Sequence, residues 1–147
     1  MDINLVGKKC FVIMPFGDKK DIDGTPIDFD EIYHTLIKDA VTELGVNCIR
    51  CDEIAETGWI HSKMFHEIFD AHVAVVDITS LNPNVFYELG VRHALNKHVT
   101  VLIRKSGTPT PFNVSGFQIL DYKLDDPENL KNCKEKIREF ITNGLAK

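Results

Sequence analysis

The chain has 147 residues, the size at which one domain with one core is stable. Hydrophobic residues at 44% and charged residues at 27% exclude a disordered or fibrous chain. A net charge of -5 at pH 7 argues against a broad grip on nucleic acid, which needs a surplus of Lys and Arg on one face, but leaves room for a small anion held by local donors.

Lys9 to Met14 is a short apolar run stopped by Pro15 and Gly17, the pattern of a strand buried on both faces. A polar loop is expected from Gly17 to Pro26. Asp28 then caps a helix with Glu31 three residues on, and Phe29, Ile32, Tyr33, Leu36, Ile37, Ala40, Val41 and Leu44 recur at helical spacing until Gly45. Val46 to Ile49 is the second strand, Gly58 to Phe69 the second helix and His72 to Asp77 the third strand. Asn82-Pro83 opens a third helix reaching about Asn96, since Asn caps and Pro suits the first helical position. Val99 to Ile103 is a fourth strand, Ser106 to Gly116 a loop, Phe117 to Leu120 a fifth strand, and Asp126-Pro127-Glu128 starts a last helix with Leu130, Cys133, Ile137 and Ile141 inward.

Alternating strands and helices predict one α/β domain over residues 1–147, in three layers, with a mostly parallel five-stranded sheet and helices on both faces. No repeat or linker interrupts it. No apolar run approaches the roughly 18 residues of a membrane span, and no basic segment precedes an apolar signal core. A cytoplasmic protein with reduced thiols and no membrane partner is expected.

In open α/β sheets ligands bind beyond the carboxyl ends of the strands. Four loops qualify: Pro15-Phe16-Gly17, Arg50 to Glu53, Asp77 to Asn84, and Arg104 to Pro111. The third crowds Asp77, Thr79, Ser80, Asn82 and Asn84 between a strand end and a helix start; Asn82 as a cap and Asp77 holding loop amides are the plain alternatives. Glu88 stands one and a half turns into the helix among Val85, Phe86, Tyr87, Leu89 and Val91. Either it pairs with Arg92 four residues on, or it points into the cleft, where desolvation and the helix amino end set its charge.

Near the same sheet edge, Trp59 either stacks on a base or nicotinamide ring or is a core or interface aromatic, and His61 either joins it or is solvated. His34, His66, His93 and His98 make no triad or metal pattern. The four cysteines, Cys10, Cys48, Cys51 and Cys133, lack metal-ligand spacing, so no metal is expected. Cys48-x-x-Cys51 is formally a redox motif, yet it lies at a strand end, not at the helix start that lowers a thiol pKa. A redox role for that pair predicts that Cys51→Ser abolishes function. There is no GxGxxG, Walker loop or nucleophile elbow, which disfavours hydride transfer and P-loop chemistry.

The segments Cys10-Phe-Val-Ile-Met-Pro-Phe-Gly17, Asp28-Phe-Asp30, Asp52-Glu53, Ile60-His61, Met64-Phe65, Val75-Val-Asp-Ile-Thr79 and Asn82-x-Asn-Val-Phe-Tyr-Glu-Leu-Gly-Val-Arg-His-Ala94 together resemble the nucleoside 2-deoxyribosyltransferase-like domains, within the wider set that includes Toll/interleukin-receptor (TIR) type domains. The resemblance covers residues 9 to 122 and is closest to a bacterial subgroup in which the domain precedes a repeat-containing region. It implies a flavodoxin/Rossmann-like fold. It also implies an enzyme that cleaves or transfers at the N-glycosidic bond of a nucleoside, nucleotide or NAD, with no cofactor and NAD as a possible substrate.

Glu88 inherits the role of the family glutamate, which attacks the sugar C1′ or supports loss of nicotinamide. A carboxylate close beneath the ring suits a bond whose breaking builds oxocarbenium character. By the same resemblance Met14, Pro15 and Phe16 form the first-strand loop around sugar and base, and Asn82 and Asn84 line the sugar or phosphate side. Asp52, Trp59, His61, Asp77 and Thr79 complete the expected substrate-binding set. His72 stands where the transferases begin the third strand with an aspartate near the base, which puts protonation of the leaving base in question. A homo-oligomer is expected, with Phe65 and Trp59 as contact candidates, and any function of the repeat region must come from another chain. The alternative is a non-catalytic nucleotide-binding or self-associating TIR-like module for signalling or antiviral defence.

Overall fold

A computed structural model describes residues 5–50, 60–95, 98–111 and 117–146, with side chains from residue 63 onward in the second of these long stretches. Five strands form one parallel sheet: β1 (Lys9–Ile13), β4 (Asn47–Arg50), β5 (Val73–Asp77), β6 (Val99–Lys105) and β7 (Ile119–Tyr122), in the order β4-β1-β5-β6-β7. The sheet is three-layered with helices on both faces, as the alternating pattern predicts.

The period-two alternation of each strand divides the core. Cys10, Val12, Val73 and Val75 face α1 (Phe29–Ile32), α2 (Asp39–Thr42) and α5 (Pro127–Leu145), whereas Phe11, Ile13, Ala74 and Val76 face α3 (Ile60–Asp70) and α4 (Pro83–Leu95). Each such Ile or Phe, removed from water, contributes roughly 1.5–3 kcal/mol. The caps are those expected. Asp28 accepts from the Glu31 amide and Asp126 from the Asn129 amide, with Pro127 opening α5, and Gly45 takes φ +83 just beyond the first helix.

Several boundaries differ from the expected ones. Residues 17–26 are not merely a loop: β2 (Asp18–Lys20) and β3 (Pro26–Asp28) pair as an antiparallel hairpin. Its strands are three residues each, and only Ile27 among their side chains is buried, so no alternating pattern announces them. Between α1 and α2 the helix continues as a π-helical stretch, Tyr33–Lys38. β4 ends one residue later than expected, which brings Arg50 into the strand, buried at 3% exposure. The last strand is Ile119–Tyr122, because Tyr122 is sealed in the core while Phe117 is 48% exposed.

Arg92 also departs from the pairing considered for it. It is fully buried and spends its donors elsewhere: Nη1 on the Ile68 and Ala71 carbonyls (2.9 and 2.7 Å), Nη2 on the Val99 carbonyl (3.0 Å) and Nε on Thr100 Oγ1 (3.3 Å). It thereby satisfies carbonyls at the end of α3, where no intrahelical donor remains.

Candidate functional site

The crossover leaving β1 goes to the α1 face, and the connection leaving β5 goes to α4 on the opposite face. Adjacent strands whose connections part in this way open a crevice at their carboxyl ends. Met14 to Gly17 forms one wall and Asp77 to Asn84 the other.

On the first wall, Met14 and Pro15 are buried, Met14 within the core, and Phe16 is 38% exposed at the rim. Gly17 takes φ +66, its amide donates to Asp30 Oδ1 (2.9 Å), and its carbonyl accepts from the Phe29 amide. Asp30 also receives Arg50 Nη2 at 2.8 Å, and the Gly17 and Arg50 donors hold its carboxyl below the usual range. The Arg50 guanidinium lies 4.6 Å from the Tyr33 ring centre and 5.0 Å from that of Phe16. Sequence reasoning missed Asp30 and Tyr33 as site-forming residues. Pairing across twenty positions leaves no spacing signal; a buried arginine at the end of an apolar strand is the one hint.

On the second wall, Asp77 and Thr79 are fully enclosed. Asp77 Oδ1 accepts from the Thr79 amide (2.9 Å) and Oδ2 from the Tyr122 hydroxyl (2.7 Å), while Thr79 Oγ1 lies 3.0 Å from that hydroxyl and accepts from the Lys105 amide (2.8 Å). Burial pushes the Asp77 carboxyl up to about 6, against the pull of those donors. These two side chains fasten β5, β6 and β7 together beneath the loop, with their polar atoms engaged inside the fold. The loop above them is strained: Ser80 and Leu81 both take positive φ (68° and 52°) in a 3-10 turn, Thr79–Leu81, a conformation non-glycine residues adopt at a cost of order 1 kcal/mol or more. Asn82 Oδ1 then accepts the Asn84 amide (2.8 Å) as a helix cap, and Asn84 is exposed on the first turn.

Glu88 lies on the same side of α4 as the buried Val85 and Arg92 and is itself half-buried. Among the described residues it has no hydrogen-bond or ion-pair partner, and desolvation alone raises its carboxyl to about 7. It is therefore a carboxylate with no partner among the described residues, on the helix that leaves this crevice.

His72 sits at the amino end of β5, where its Nδ1 accepts from the Lys9 amide (3.1 Å). Asp77 is five residues away along the strand, roughly 17 Å at about 3.3 Å per residue. His72 thus lies at the amino end of the strand, away from the crevice at its carboxyl end. Asp52, Glu53, Trp59, His61 and Cys51 lie outside the described residues or side chains. Phe65 is half-buried and meets the exposed Tyr87 edge-on, centroids 6.2 Å apart. β6 runs on to Lys105, so Arg104, expected to open the fourth loop, lies in the strand, engaged by Asp121 (2.6 Å), the Thr108 carbonyl and Thr110. The hairpin reaches this edge too, through Asp21 Oδ2 and Lys105 Nζ at 2.9 Å.

A cavity of about 710 Å³ lies away from the crevice, at the amino end of β6 between Lys8, His98, Val99, Gln118, Phe140 and Asn143. The crevice has the better claim because the switch point of the sheet lies there and the helix leaving it bears a carboxylate with no partner among the described residues.

No protein-family model and no curated protein matches the chain. Among solved structures it is similar to the crystal structure of the flavodoxin-like domain from a Synechococcus sp. protein, with a TM-score of 0.58 and 12% identity, over 96% of this chain and 100% of that one. That similarity concerns the fold, which is flavodoxin-like in strand order as in layers.

Proposed function

We propose that this chain is an enzyme acting on the N-glycosidic bond of a nucleoside, nucleotide or NAD, with Glu88 as the group that captures or stabilises the sugar C1′. One observation carries the reading: a half-buried carboxylate, with no partner among the described residues, on the helix that follows β5 at the topological switch point of the sheet. The resemblance of residues 82–94 to the deoxyribosyltransferase and TIR-type domains points the same way. A carboxylate kept from partners and partly from water gains most when positive charge develops beside it, because the gain is made in the transition state and not in the free enzyme.

In this account the base leaves from C1′ as the C–N bond breaks. Glu88 either forms the C–O bond to C1′, later exchanged for water or another base, or holds the cationic sugar while the acceptor arrives. Phe16 at the rim offers a face to the base, and Asn84 at the start of α4 offers its amide to the sugar or phosphate side. Incubation of the purified protein with NAD, deoxynucleosides and nucleoside monophosphates, followed by chromatography, is expected to show released base from at least one. No release from any of them at high protein concentration contradicts the proposal and favours a binding or signalling module.

A further inference from the structure

Two thiols lie side by side in the sheet, outside the site. β1 and β4 run parallel with Cys10 paired directly to Cys48. Neighbouring strands are about 4.8 Å apart, so paired Cα atoms fall inside the window of roughly 4.4–6.8 Å that a disulfide bridges. Paired residues of adjacent strands project from the same face, and both cysteines belong to the side covered by α1 and α5, Cys10 within that core and Cys48 packed against it. The Cys10 thiol hydrogen-bonds Cys48, and that bond together with burial holds Cys10 in its protonated form. Cys10 is sealed from solvent, whereas Cys48 is half-buried on an edge strand. Cys133 is buried on the same side, but the charges acting on its thiol are Asp77 and Asp121, towards the opposite edge.

We propose that Cys10 and Cys48 are a peroxide-oxidisable pair that closes to a disulfide joining β1 to β4. Cys48 is the thiol that oxidant reaches. Its thiolate attacks one oxygen of hydrogen peroxide, the O–O bond breaks, and the departing hydroxide takes a proton to become water, leaving Cys48 as a sulfenic acid. Cys10 then gives up its proton and attacks Cys48 Sγ; the S–O bond breaks and the second hydroxide leaves as water. Two thiols and one peroxide thus become one disulfide and two waters. Cys10 attacks as its thiolate, so the second step accelerates at alkaline pH.

The bond would act on a consequential part of the fold. β4 has a partner on one side only, and two positions beyond the cysteines Val12 pairs with Arg50, whose guanidinium anchors Asp30 beneath the first wall of the crevice. The disulfide would fix the first half of β4, two residues before Arg50.

The test is to treat the reduced protein with hydrogen peroxide at mildly alkaline pH, block remaining thiols after unfolding, and map linked peptides by mass spectrometry without reduction. A Cys10–Cys48 peptide that disappears on treatment with dithiothreitol is expected. Cys48→Ser should lose the link entirely, and Cys51→Ser and Cys133→Ser should keep it. A Cys48–Cys51 link instead, Cys48 oxidised beyond sulfenic acid with Cys10 still alkylatable, or no reaction at either thiol would each overturn the proposal.

Discussion

Glu88 costs the fold something at neutral pH. Its folded pKa, about 7, lies above the ordinary 4.5, so the folded state binds its proton more tightly. The stability linked to that proton is fully present below about pH 4.5 and is lost as pH rises through about 7. Glu88→Gln removes the charge without removing the shape. Allowing for partial solvent contact, the variant should match the wild type near pH 4 and exceed it by about 1–2 kcal/mol at pH 8, read from urea midpoints. Equal stabilities at both pH values would mean that the carboxyl is well solvated. The same pKa has a kinetic counterpart. A nucleophile or cation stabiliser must be ionised, so kcat/KM for base release should rise with pH to a plateau with a midpoint near 7, whereas a general acid would give the falling limb.

At the scale of elements, the long, strongly periodic segments were legible and the short ones were not. The first helix announced both ends, through Asp28 with Glu31 and through Gly45, because capping and positive φ are local demands. The β2–β3 hairpin was invisible because it is held by Asp21 on Lys105 and by Gly17 around Phe29, partners distant in sequence or made of backbone. Tyr122 illustrates the same limit: its hydroxyl matters only because Asp77, on a different strand, lies 2.7 Å away. Tyr122→Phe should cost about 1–3 kcal/mol in denaturant unfolding, since a buried carboxyl loses a donor, and no cost would argue that the network is dispensable. Arg92 ties α3, α4 and β6 through three carbonyls. Arg92→Leu should destabilise by about 3–5 kcal/mol, and Arg92→Lys should recover only part, because an ammonium cannot reproduce the planar fork.

For the whole molecule, strand order decides where chemistry can sit. The β4-β1-β5-β6-β7 order puts the switch point between β1 and β5, and α4, the helix that follows β5, bears Glu88 in its second turn. The sequence pattern identified the carboxyl-end loops and singled out Glu88 from the oddity of an acid among apolar neighbours. Its freedom from Arg92 became visible only once α3 and β6 were in place to claim the guanidinium. Asp77 and Thr79 stood out as polar for the opposite reason: they are engaged within the fold. The central claim is that the Glu88 carboxylate acts on C1′, and the direct measurement is base release by wild type and Glu88→Gln side by side, on whichever nucleoside, nucleotide or NAD the wild type cleaves. The account predicts a fall of about 10²–10³ or more in turnover with unfolding midpoints at least as high as the wild type. Undiminished release by a folded Glu88→Gln variant would contradict it.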